Sequence, residues 1–310
     1  MPSTEHVRWI DRPELRHPAV VAAFTGWNDA GEAASGAVQH LVERWGARAL
    51  AEIDPEEFTD FATVRPHVRL TEDRTRHIVW PTVGLWSVST PGADVILVLG
   101  PEPALRWRLF TDQIVGVAEA YRASMVLTLG ALLADVPHRS HVQVIGTASD
   151  QAMIDRYDLQ RSRYEGPTGI VGVLHQACTS AGLASASLWA AVPAYASQVP
   201  SPKAAAALIE RAATLVGSPA PLAELLAEVD EYETRVDSLV DDDEDLAGYV
   251  RRLETMSDDD DDDDRELADY NADYAVDDDD LDADEDSGDE RSLMDEIEGF
   301  LRDQRDGHGD

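Results

Sequence analysis

Four short polar clusters punctuate the apolar runs of this 310-residue chain, and they hold the residue types that could do chemistry. They are Trp27-Asn28-Asp29, Glu102 with Arg106, Asp135 with His138, and Glu165 with Thr168. Asp29 or Glu102 could serve as a general acid or base, and His138 as a second proton-transfer group. Backbone amides near Thr168, at the start of an expected helix, would favour an anion. Each cluster also has a plain structural reading. Asp29 suits a helix cap, and Glu102 and Arg106, four residues apart, suit an exposed helical ion pair. Trp107 reads as a packing residue. Asp135, His138 and His141 supply too few well-placed ligands, so no metal is assigned. Lys203, the sole lysine, reads as a solvated helix residue and Cys178, the sole cysteine, as a buried thiol. No Gly-x-Gly-x-x-Gly, Walker or Gly-x-Ser-x-Gly pattern occurs, so neither a catalytic residue nor a cofactor is assigned.

The elements that must position these clusters follow from periodicity. Ala19 to Phe24 is a continuous apolar run, as in a strand buried on both faces. After the loop Gly26–Gly31, Ala33, Ala37, Val38, Leu41 and Trp45 recur at helical spacing until Gly46. Ala47 to Ile53 then completes an expected βαβ unit. Residues 63–90 hold short β-forming pieces separated by turn residues, which predicts antiparallel hairpins. Further strands are expected at Asp94–Leu99, Met125–Leu129, Val142–Ile145 and Ser185–Val192. Helices are expected near Ala104–Tyr121, Ser149–Tyr157, Thr168–Ala181, Ala204–Val216 and Pro221–Leu239. The alternation predicts an α/β fold: three α/β/α layers around a mostly parallel sheet with an antiparallel insertion. The clusters then fall at the carboxyl ends of strands, where open α/β sheets bind ligands. A shared crevice of Trp27, Asn28, Asp29, Glu102, Arg106, Asp135, His138, Glu165 and Thr168 is the expectation to test.

Charge divides the chain. Its formal net charge is −36, yet residues 241–310 carry 32 acidic and 6 basic side chains against 29 and 19 in residues 1–240. A polyanion with few cations is a poor nucleic-acid binder, because each neutralised phosphate needs a Lys or Arg. The longest apolar stretch, Met125–Ala134, falls short of the roughly 20 residues a membrane span requires. One cysteine and an amino terminus without a basic-then-apolar pattern lead us to expect a cytoplasmic protein. Three units are expected: a domain over 1–240, a helical extension over 241–256, and a disordered acidic tail over 257–310. Within the tail, Leu293, Ile297, Phe300 and Leu301 fall on one face of an expected short helix over 292–305, a pattern suited to partner binding.

Phe24–Gly31, Leu99-Gly100-Pro101-Glu102-Pro103 with Arg106-Trp107, Leu129–Leu132 with Asp135–His138, and Tyr164–Gly169 together resemble the actinobacterial branch of the proteasome assembly chaperone 2 family. The resemblance runs in order over about residues 7–240. It implies a phosphorylase/hydrolase-like α/β/α fold, proteasome subunits as partners, and no established catalytic residues. Archaeal relatives that dock on the proteasome do so through a C-terminal hydrophobic-Tyr-any tripeptide, whereas this sequence ends His308-Gly309-Asp310. It also has Ala194 before Tyr195, where the family pattern leads one to expect His.

Two functions compete on these grounds. One is a non-catalytic, homo-oligomeric assembly factor that contacts partners through its body or tail. The other is a small-ligand binder or hydrolase-like enzyme using the strand-end crevice. Convergence of Asp29, Glu102, Asp135, His138 and Glu165 in one concave pocket would favour the second; scattered capping contacts would favour the first.

Overall fold

In a computed structural model, which describes residues 3–71 and 73–259, the chain alternates strands and helices much as periodicity demands. In chain order the elements begin with β1 (Val7–Trp9), β2 (Ala19–Thr25), α1 (Ala33–Arg44), β3 (Arg48–Ile53), β4 (His67–Leu70), β5 (Arg76–Val79), β6 (Val83–Ser89) and β7 (Asp94–Pro101). They continue through α2 (Trp107–Ala120), β8 (Met125–Ala134), β9 (Val144–Ala148), α3 (Gln151–Tyr157), α4 (Ile170–Ser180) and β10 (Ser185–Pro193), and close with α5 (Pro202–Val216), α6 (Ala223–Asp241) and α7 (Glu244–Asp259). Expectations for residues 260–310, including the Leu293/Ile297/Phe300/Leu301 face, lie outside the described residues.

Eight strands form one sheet in the order β1-β3-β6-β7-β2-β8-β10-β9. The pairings β2 with β7, β2 with β8 and β8 with β10 are parallel, and β3 runs in the same direction as these four strands. Five strands therefore present their carboxyl ends at one edge. Two expectations need correction. β2 and β3 are parallel but not neighbours, because β7 and β6 lie between them, so α1 spans a wide crossover rather than a tight βαβ unit. The 63–90 region also divides: β6 enters the main sheet, antiparallel to β3 and β7, and only β4 and β5 form a separate hairpin.

The two-residue period of the strands assigns the cores. Val21, Ala23, Leu97, Leu127, Leu129 and Leu188 point to one face and pack with α1 and α5. Val20, Ala22, Phe24, Ile96, Val98 and Val126 point to the other and pack with α2 and α4. Strands apolar on both faces need helices on both, which makes the three layers. A third, smaller cluster built on Tyr232, Val236, Val240 and Val250 ties α6 and α7 to Ala196 and Val199, just beyond β10.

Candidate functional site

The loops after β2 and β7 leave toward opposite helical layers, α1 one way and α2 the other. This is the switch point where an open α/β sheet offers a ligand crevice. Here the chain fills it with its own side chains. Asn28 is buried and its Nδ2 donates to Glu102 Oε1 (3.0 Å), which also accepts from Ile170 N at the start of α4 (2.8 Å). The anion expected at this helix start is thus Glu102 itself. The approach depends on Gly169, where a Cβ would stand 2.0 Å from Asn28 Nδ2. Gly26, at φ +126°, makes the turn that brings Asn28 inward.

Asp29 faces away from this pair and caps α1. Its Oδ1 accepts from Ala34 N (2.8 Å) and Ser35 N (2.9 Å), and Oδ2 accepts from Ser35 Oγ. Burial pushes its carboxyl above the ordinary range, although the Ser35 and Ala34 hydrogen bonds oppose that rise. Arg106 does not pair with Glu102 as helical spacing suggested. Arg106 sits just before α2 in a left-handed conformation, so the segment from Glu102 to Arg106 is not a helical turn, and its guanidinium pairs with Glu57 instead. Trp27 is 67% exposed, and Glu165 and Thr168 are exposed on the loop before α4.

Asp135 and His138 belong to a second cluster, beyond β8 and β10. His138 is buried; its Nδ1 lies 2.9 Å from Tyr195 Oη and its Nε2 2.9 Å from Asp237 Oδ1. Tyr195 Oη accepts from His138 N at 2.7 Å. A carboxylate can only accept, so the network is satisfied when Nε2–H donates to Asp237 and Tyr195 donates to Nδ1. The Arg139 hydrogen bond, foremost, holds Asp237 below the ordinary carboxylate range. Burial pushes the Tyr195 phenol well above its usual value. Tyr249 of α7 donates to Asp135 Oδ1 (2.5 Å).

Lys203 corrects its sequence reading. Rather than standing in solvent, it is largely covered, and its Nζ donates to His138 O (2.8 Å) and Glu233 Oε1 (2.7 Å). A cleft of about 20 Å³ beside Pro137, His138, His141, Lys203 and Tyr232 has room for roughly one water. Glu233, Asp237 and Tyr249 had no motif signal, while Tyr195 was noted only through the family pattern and Lys203 only as the sole lysine. Only the return of α6 and α7 onto the strand edge joins them. Among the described residues, no group of three His, Cys, Asp or Glu side chains could hold a metal ion. Cys178 is a free, buried thiol whose pKa burial pushes up to about 12, which leaves it without thiolate character near neutrality.

Fold and site together define a three-layer α/β/α protein whose strand-end polar groups are bound to one another and to helix starts. The PAC2 family model matches residues 23–240, and the chain belongs to that family. Among solved structures it is similar to a PAC2 family protein from Streptomyces avermitilis, at 45% identity and TM-score 0.70, covering 75% of this chain and 99% of that one. A proteasome-assembly chaperone homologue from Mycobacterium tuberculosis matches at 43% identity and TM-score 0.68, again covering 75% and 99%. An archaeal proteasome activator from Pyrococcus furiosus shares the fold at 15% identity and TM-score 0.63, covering 75% and 97%. No curated protein matches the chain in sequence. Among the described residues no helix is long and apolar enough to cross a membrane.

Proposed function

We propose that this chain is a non-catalytic assembly factor that binds proteasome subunits, working in the cytoplasm as a homo-oligomer. The observation that carries the reading is that the acid and base candidates at the strand carboxyl ends are each held by internal hydrogen bonds, although Asn28 Oδ1 is left without a partner among the described residues. Glu102 is bound by Asn28 and the α4 amide, Asp29 by α1, His138 by Tyr195 and Asp237, and Asp135 by Tyr249. An acid, base or anion site must keep such valences for a substrate. The kinship with a proteasome-assembly chaperone homologue at 43% identity supports the choice of client.

The test is co-expression of the full chain with the proteasome α and β subunits of its own host, followed by native mass spectrometry. A defined complex with either subunit, in which Glu102→Gln binds as well as the unaltered chain, is the expected result. Absence of any complex with both subunits overturns the proposal. Light scattering on the full chain checks the homo-oligomer.

A further inference from the structure

The β4–β5 hairpin is the region whose physical chemistry is least satisfied. Cross-strand partners share a face, so Val68 with Ile78 and Leu70 with Arg76 line one side, and the two-residue period carries that side on to Trp80. These apolar residues are open to solvent: Val68 is 51% exposed, Ile78 58% and Leu70 64%. An isolated two-stranded hairpin is marginal in water, and an apolar face of this kind marks an interaction surface. The hairpin is also basic, with Arg65, Arg69, Arg74 and Arg76 against Glu72 and Asp73. None of those four arginines makes an ion pair with a described residue.

We infer that this face is the docking site for the chain's own C-terminal segment 292–305. Charge complementarity selects the occupant: residues 260–310 hold 24 acidic and 4 basic side chains, and Leu293, Ile297, Phe300 and Leu301 offer an apolar stripe at helical spacing. A second copy of the hairpin would bring like charge to like. Length permits the contact, since the 32 residues 260–291 span on the order of 100 Å when extended. The insertion leaves β3 at the carboxyl edge of the sheet and is rooted there by Leu105 N donating to Phe58 O and by the Arg106–Glu57 pair. The docked segment therefore covers a surface beside the strand-end clusters. This inference stands on the hairpin and the charge pattern and is independent of the proposed client.

Hydrogen–deuterium exchange on the full chain tests it. At low salt, amides of residues 67–79 are expected to exchange about five-fold more slowly in the unaltered chain than in the full chain carrying Leu293→Ser, Ile297→Ser, Phe300→Ser and Leu301→Ser. Raising the salt should narrow the gap. Equal exchange in both chains overturns the inference, and so does a gap that grows with protein concentration, which would assign the contact to a second chain. A cysteine pair gives a second readout, because buried Cys178 leaves the background unreactive. Under oxidation the Ile78→Cys/Phe300→Cys chain should form an intrachain disulfide faster than an Arg48→Cys/Phe300→Cys chain, whose position 48 lies at the opposite sheet edge. Equal rates for the two pairs overturn it.

Discussion

Two polar clusters stand side by side on one sheet edge, and they are closed by different parts of the chain. Over β2 and β7, Asp29 is held by the start of α1, and Glu102 by Asn28 Nδ2 and the start of α4; both helices pack directly on the sheet. Over β8 and β10, Asp135, His138 and Lys203 take partners from α6 and α7, which pack near the edge through the small cluster around Val236. The first closure is part of the sheet's own core, whereas the second is a strap. Polar groups that look alike in sequence therefore stabilise different units of the fold, one global and one local.

The comparison can be broken most directly at Asp29. Asp29→Ala strands the Ala34 and Ser35 amides at the start of α1, and should lower stability in urea by about 2 kcal/mol. At the strap, Asp237→Ala removes the acceptor for His138 and Arg139 and should cost about 1 kcal/mol, since Asp237 is partly solvated. If the strap mutation costs more than the Asp29 one, the assignment of global and local roles is wrong.

The two sites should also differ in the sign of their pH dependence. Asp29 has a raised pKa in the folded chain, so the stability linked to its proton is present below the ordinary carboxylate value and is lost as pH rises through the folded value. Asp237 has a lowered pKa, so its contribution is present above the ordinary value and is lost as pH falls through the folded one. Urea titrations of Asp29→Asn and Asp237→Asn across the acid range, each subtracted from the unaltered chain, should give slopes of opposite sign. Slopes of the same sign would show that one carboxylate does not sit as described.

Smaller effects sharpen the contrast. In the full chain, amides of α6 should exchange faster than those of α1, by on the order of tenfold, because fewer apolar contacts hold the strap. Trp27→Ser, at an exposed side chain on the loop after β2, should change stability by no more than about 0.5 kcal/mol.

Much of the framework was legible because strands apolar on both faces leave continuous runs. Ala19–Phe24 and Asp94–Leu99 each announce a buried parallel strand, and the Ala33–Trp45 spacing announces a helix of one outer layer. Asp29 as a cap was legible too, since capping is local. The Glu102–Arg106 pair was misread because helical spacing says nothing where the backbone is not yet helical, and α2 begins only at Trp107. Lys203 was misread because its cover, Glu233, comes from a helix whose direction of return no local pattern encodes.

The sequence by itself determined the class of fold, the acidic bias of residues 241–310, and which residues reach the strand ends, because these follow from periodicity, composition and order along the chain. Tertiary structure alone decided that two strands separate β3 from β2, that Glu102 takes the start of α4, and that His138 meets Tyr195 and Asp237. Those outcomes depend on contacts between segments far apart in the chain, whose free energy exists only once the sheet has brought them together.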